Sequence, residues 1–397
     1  MPSSFSSRTL VLITGFLIMF VGSGARFTFG LTLVPMAEEF TLGRGILGTT
    51  VGVYYVVTAL FMFLAGRMLD RYGARSVLVV GILVSAAGIG FISLATSSWH
   101  LLALYGVLFG IGNGIASITP VSVLVTRLYP ERAGAANGVI SAGMSAGQLF
   151  MIAALAFVLV WAGWRLTYVL LGIAHLMLLP LLLAVPTDGG TAPGKPTAAA
   201  SEGLTLGQAS RTRRFWLLLG IYGICGLDDF FVSTHIVAFA QDKGIDTLLA
   251  GNLLALMGLT AMGGVLWAGI WADRYGLVAP MIACFALRIV SFGLILIDQS
   301  KPAVLLFTIV FGITFLMTAP LTVLAIRNCF GNKHLGTIAG FIIMIHHAMG
   351  GLGAWLGGVL FDTDGSYGRA FAVMLVSSAI ATAGCYALKR EGIDKQR

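Results

Sequence analysis

Twelve apolar stretches of about 20 residues punctuate the chain, at 9–31, 46–68, 76–96, 99–122, 135–160, 164–186, 214–240, 249–271, 278–298, 302–325, 335–360 and 367–389. A helix rising 1.5 Å per residue needs roughly that length to cross the ~30 Å hydrocarbon core of a bilayer. Hydrophobic residues make up 58% of the sequence and charged residues 10%. A water-soluble surface cannot be built from so few charges. The 52 glycines suit close contact between spanning helices. The chain is therefore predicted to be an all-α membrane protein with 12 transmembrane helices.

The same sequence is written twice. Gly66-Arg67-Met68-Leu69-Asp70-Arg71-Tyr72-Gly73 returns as Gly269-Ile270-Trp271-Ala272-Asp273-Arg274-Tyr275-Gly276, an offset of 273 − 70 = 203 residues. Thr119-Pro120-Val121-Ser122 is echoed by Ala319-Pro320-Leu321-Thr322. Six spans per copy is an even number, so both halves share one orientation, related by an axis along the membrane normal. The predicted domains are a six-helix bundle over 1–186, a linker rich in Pro, Gly, Thr, Ala and Ser over 187–213, and a second bundle over 214–397.

Orientation follows from the basic residues. Only Arg44, Arg165, Lys243, Lys301 and Arg369 fall in loops on one side, while Arg67, Arg71, Arg75, the 211–214 cluster and both tails share the other. By the positive-inside rule the second side is cytoplasmic, with both termini there. This topology accounts for the net charge of +8 and removes the case for a nucleic-acid partner. The first apolar run is too long for a signal-peptide core and is kept as a span. An inner-membrane location and a monomeric state are expected. The four cysteines lack metal-ligand spacing, and no metal or cofactor is expected.

Gly66-x-x-x-Asp70-Arg71-x-Gly73-x-Arg75 resembles the loop signature of the major facilitator superfamily. The resemblance implies that fold, with substrate held between two six-helix halves. It also implies that Asp70, Arg71 and Arg75, echoed by Asp273 and Arg274, lock one end of the halves together. Gly24-Ala25-Arg26-Phe27-Thr28-Phe29-Gly30 with Pro35-Met36, the 132–147 glycine pattern, and His346-His347-Ala348-Met349-Gly350 are similar to bacterial monocarboxylate-transporter-like carriers. Carriers of that branch place an Arg in the eighth span, whereas Gly251 to Ile270 holds no charge here.

Ionisable residues inside a bilayer are expensive and point to function. They are Arg26 in span 1, Asp228, Asp229 and His235 in span 7, Arg288 in span 9, and His346 and His347 in span 11. The repeat offset carries Arg26 to 26 + 203 = 229, so Arg26 and Asp229 are expected to face each other across the cavity, as a static pair or a switch. Arg26 offers a planar fork for a carboxylate, and a desolvated Asp228 or Asp229 can take up a proton. His235 is a candidate relay or substrate ligand. His346 is preferred over His347 as the one facing the cavity. Asn113, Tyr54, Tyr55 and Phe27 complete the expected substrate pocket, while Arg288 is expected to snorkel or pair helices. The expected function is proton-coupled symport of a small organic anion, a monocarboxylate, by rocking of the two halves. The alternatives are a drug or metabolite exporter of the same fold, or a membrane sensor. No nucleotide loop, nucleophile elbow or metal motif supports an enzyme.

Overall fold

The computed structural model describes residues 4–129, 133–185, 203–331 and 333–393. The apolar stretches are helices. Span 1 is Ser4–Phe40, span 2 Arg44–Tyr72, span 3 Ala74–Gly90 and span 4 Ser98–Ser122. Spans 5 and 6 form one continuous stretch, Gly138–Ala184. Spans 7, 8 and 9 are Arg213–Asp242, Thr247–Tyr275 and Val278–Ile297. Spans 10, 11 and 12 are Lys301–Phe330, Leu335–Asp364 and Gly368–Arg390.

The join of spans 5 and 6 is a chain reversal, not a longer helix. Its 47 residues would extend roughly 70 Å, more than two bilayer cores. At Gly163 the backbone leaves the helical region (φ 79°, ψ 173°), a conformation that costs glycine little. Three spans start with a side-chain cap. Thr212, Asp246 and Ser300 accept hydrogen bonds from the amides of Phe215, Leu249 and Ala303, satisfying donors at the starts of spans 7, 8 and 10.

The duplication is visible in backbone geometry. Gly73 and Gly276, 203 residues apart, adopt φ 77° and 87° and each donates its amide to the carbonyl four residues back, at 3.0 Å. Within each half, neighbouring spans pack around separate apolar clusters. The halves meet along three pairs of spans: 2 with 11, 1 with 7, and 5 with 8. Gln148 of span 5 adds a polar link, donating to the Leu254 carbonyl of span 8 at 3.1 Å.

The C-terminal half reaches further back than the predicted linker boundary. Leu204 donates its amide to the Phe330 carbonyl at 2.8 Å, and a short helix, Leu206–Ala209, opens with a Thr205–Gln208 capping box. Its apolar residues join the Phe215–Phe330 cluster. Thus 203–213 packs on the second bundle because it carries Leu204, Leu206 and Ala209, while 187–202 lies outside the described residues.

Candidate functional site

A cavity of about 780 Å³ lies between the halves. Its walls run from the middle of spans 1, 2, 4, 5, 7, 10 and 11 toward the ends that bear the repeated Asp-Arg-Tyr-Gly loops. Arg26, Tyr54, Tyr55, Asn113, Asp229 and His346 all line it, and so does His347. Both adjacent histidines of span 11 therefore share the wall, and the preference for His346 over His347 does not hold.

Arg26 dominates the N-terminal wall. Its guanidinium carbon lies 4.5 Å from the Phe230 ring centre, 4.8 Å from Phe27 and 5.3 Å from Tyr55. Such cation–π contacts stabilise a desolvated cation without neutralising it. Its Nε donates to the Tyr55 hydroxyl at 3.4 Å. Among the described residues, no carboxylate lies within ion-pair distance of it. Tyr55 is fixed from behind by stacking on Phe230, with ring centres 3.9 Å apart. Phe27 lies under the guanidinium and against Phe315, outside the cavity lining.

The expected Arg26–Asp229 pair is absent, and the structure corrects it. Asp229 is taken by Arg288, whose Nη2 donates to Oδ1 at 2.5 Å. Arg288 also approaches Asp228 at 3.6 Å and donates to the Thr314 hydroxyl and carbonyl and to the Cys225 carbonyl. It is fully buried, so it pairs helices and does not snorkel. A charge this deep persists only with such a complete set of partners. Asp228 faces away from the cavity and accepts hydrogen bonds from Ser377 and Ser378 at 2.7 and 2.8 Å. Asp229 keeps one edge on the cavity, with the Cys225 thiol on its second oxygen at 3.2 Å. The offset picked two residues that line one cavity. It failed as a ruler for partnership, because Arg288 sits in the same half and reaches Asp229 first.

Both cavity histidines are committed through Nδ1, His346 to the Tyr222 carbonyl and His347 to the Ile343 carbonyl, each at 2.9 Å. A carbonyl only accepts, so each Nδ1 carries hydrogen, and a neutral ring then presents Nε2 as an acceptor. Asn113 receives the Tyr54 hydroxyl at 3.2 Å. Tyr222, Phe230 and Thr322 also line the cavity and were not singled out from sequence, because one aromatic or threonine in an apolar span has no distinguishing neighbours.

His235 is corrected outright. It lies outside the cavity, at the opposite face. Its Nε2 meets the Ala354 carbonyl at 2.8 Å and its Nδ1 the Tyr367 hydroxyl at 3.0 Å. Nε2 therefore donates, and Tyr367 donates to Nδ1. Tyr367 in turn accepts from Arg44 at 3.0 Å. Arg44 grips Asp242 with both terminal nitrogens, at 2.5 and 2.6 Å, and its guanidinium carbon stands 3.9 Å over Phe361. Asp362 caps the start of span 2, accepting from the amides of Arg44 and Gly45 at 2.8 and 2.7 Å. Arg44 belongs to the first half and all these partners to the second. Below this cluster span 2 lies flush on span 11. A methyl carbon on Gly351 would stand 2.8 Å from the Gly52 carbonyl oxygen. The face is shut.

At the loop face, the side chains of Asp70 and Asp273 lie outside the described residues. Arg75 donates to the Leu183 carbonyl of its own half at 2.5 Å, Arg71 lies over the Tyr72 ring, and Arg274 is exposed. No group of His, Cys, Asp and Glu able to hold a metal occurs among the described residues.

Two six-helix halves around a central cavity, closed at one end and lined toward the other, are the architecture of a carrier. A sequence profile described as Major Facilitator Superfamily matches residues 15–349 and 218–396. The chain belongs to this superfamily. It is 25% identical to the uncharacterized MFS-type transporter YcxA of Bacillus subtilis, covering 95% of this chain and 94% of that one. It is also 25% identical to human monocarboxylate transporter 11, covering 95% of this chain and 81% of that one. Among solved structures it resembles the nucleoside transporter NupG, with a TM-score of 0.81 at 12% identity over 96% of this chain and 99% of that one. It is a multi-pass membrane transporter and not an enzyme.

Proposed function

We propose that this transporter carries a small organic monoanion, a monocarboxylate, together with a proton. The observation that carries this reading is Arg26, a guanidinium at cavity depth with aromatic rings around it and no carboxylate partner among the described residues. A substrate carboxylate supplies the missing counter-charge, in a geometry the guanidinium fork matches. Among the described residues the wall holds no second cation, which disfavours a second negative group on the substrate. The names of human monocarboxylate transporter 11 and rat monocarboxylate transporter 13 agree with this class.

The proton goes to Asp229. Asp228 is held by two hydroxyls and does not reach the cavity, whereas Asp229 does. Adding a proton to the Asp229 carboxylate neutralises it and loosens its bond to Arg288, which keeps Asp228 as counter-ion. One proton and one monoanion then move together without net charge. With the Asp-Arg-Tyr-Gly loops cytoplasmic, as the positive-inside rule argues, the cavity faces the cytoplasm and Arg44 seals the outside. Transport is the exchange of this state for its mirror by rocking of the halves, within a monomer in the inner membrane, both termini inside. The exporter alternative is weaker, since a cationic drug needs a free acid in the cavity and Asp229 is neutralised by Arg288.

Purified protein in liposomes tests the reading. Accumulation of a labelled organic acid should rise with an inward proton gradient and vanish in Arg26→Gln. Intact accumulation in that variant sinks it.

A further inference from the structure

The cavity wall around Arg26 is far larger and more apolar than a two- or three-carbon acid can use. We propose that the preferred substrate is a bulky apolar monocarboxylate, whose body is the size of an aromatic ring or larger; this rests on the reading of Arg26 as the carboxylate anchor.

Three observations carry it. The first is size. The cavity, about 780 Å³ and open at the loop end, has room for a drug-sized body beside Arg26. The second is the lining. Met19, Met62, Met144 and Met344 come from spans 1, 2, 5 and 11, so four thioethers drawn from both halves face one space. Methionine side chains are unbranched and polarizable, and surfaces rich in them adapt to apolar bodies of varied shape. Phe63, Phe315 and Leu316 extend the same surface. The third is the surroundings of the anchor. The guanidinium is ringed by Phe230, Tyr55 and Phe27, and the His347 ring stands edge-on to Phe230 at 5.4 Å. A carboxylate on Arg26 therefore brings its first carbons beside Tyr55 and Phe230, where another ring gains offset or edge-to-face contact. A lactate-sized acid would leave those surfaces facing water, with the hydrophobic contribution unused. Among the described residues the only other formal charge on the wall is Asp229, already paired with Arg288, so the wall offers no charged partner to the far end of the substrate.

The experiment measures dissociation constants of the full-length purified protein for a graded series: acetate, L-lactate, benzoate, 3-phenylpropionate, 1-naphthoate, phthalate, benzylamine and benzyl alcohol. 3-Phenylpropionate and 1-naphthoate should bind at least tenfold more tightly than acetate and lactate. Phthalate should bind more weakly than benzoate, and benzylamine and benzyl alcohol more weakly than either aryl acid. Arg26→Gln should weaken every acid. Met62→Ser with Met344→Ser should shrink the aryl-to-lactate ratio several-fold. Lactate or acetate binding as tightly as the aryl acids, with dependence on Arg26, would overturn the size inference and leave the anion reading standing. Binding of no carboxylate, or of benzylamine as tightly as benzoate, would overturn both. An unchanged ratio in the double methionine variant would remove the apolar wall as its cause.

Discussion

Arg288 holds Asp229 at 2.5 Å inside the C-terminal half, and Arg26, the counterpart of Asp229 in the N-terminal half, has no carboxylate of its own among the described residues. The same offset takes Arg288 to 288 − 203 = 85, and residue 85 is a serine. One half therefore contains a closed ion pair where the other presents a lone cation. That asymmetry, set into a symmetric scaffold, separates a proton-accepting wall from an anion-binding wall.

Removing the guanidinium of Arg26 should weaken organic-acid binding by about 2 kcal/mol or more, roughly 30-fold, as for truncating one partner of a buried charge pair. Arg26→Lys should recover only part of this, because an ammonium lacks the planar fork. Titration of purified variants with 3-phenylpropionate and lactate checks both. The thermal midpoint of the unliganded protein should change little, since Arg26 leaves no charged partner stranded.

Arg288→Met should behave in the opposite way. It strands two buried carboxylates, a loss of about 3–5 kcal/mol when one partner of a buried pair is removed. The midpoint in detergent should fall sharply. Arg288→Met combined with Asp229→Asn should recover part of the loss while remaining unable to couple.

Asp229→Asn alone should uncouple transport. Gradient-driven accumulation disappears, while exchange of labelled for unlabelled acid across the same liposomes continues. If Asp229→Asn still accumulates acid against a gradient and Asp228→Asn does not, the proton site has been assigned to the wrong aspartate.

The Arg44 cluster should set the balance between the two states. Arg44→Gln and Asp242→Asn should each open the closed face, raising the labelling rate of Ala354→Cys by an impermeant thiol reagent several-fold in a Cys329→Ser background. The effect is moderate because the Asp242 side chain is 30% exposed and partly screened.

Gly52→Val should open that face more strongly. The Gly351 carbonyl oxygen would stand 3.0 Å from the first added carbon, and both atoms belong to helix backbone or its direct branch. Accessibility of the same introduced cysteine gives the measure. Unchanged labelling would mean that spans 2 and 11 do not form the closing surface.

The fold was legible because its cause is local. A bilayer imposes a length and an apolar composition on each span, and a gene duplication left the Asp70 and Asp273 loops in register, down to matching positive φ at Gly73 and Gly276. Site residues were legible where the cost of burial marks them, so Arg26, Asp229 and His346 could be picked from an apolar background and do line one cavity. Partnership was not legible. Whether Asp229 meets Arg26 or Arg288 depends on how spans 7 and 9 are packed within one bundle, and His235 became part of a seal only because Tyr367 and Ala354 lie beside it. Arg44 looked like an ordinary loop cation until Asp242, Asp362 and Tyr367 converged on it from residues about 200 to 320 positions away. Sequence alone determined that the chain crosses a membrane as two like halves, since hydrophobic length and repetition are properties of the chain itself. Which charges are neutralised, which is left open to substrate, and which face is shut were decided by tertiary packing, because electrostatic interaction falls with distance in space and takes no account of distance along the chain.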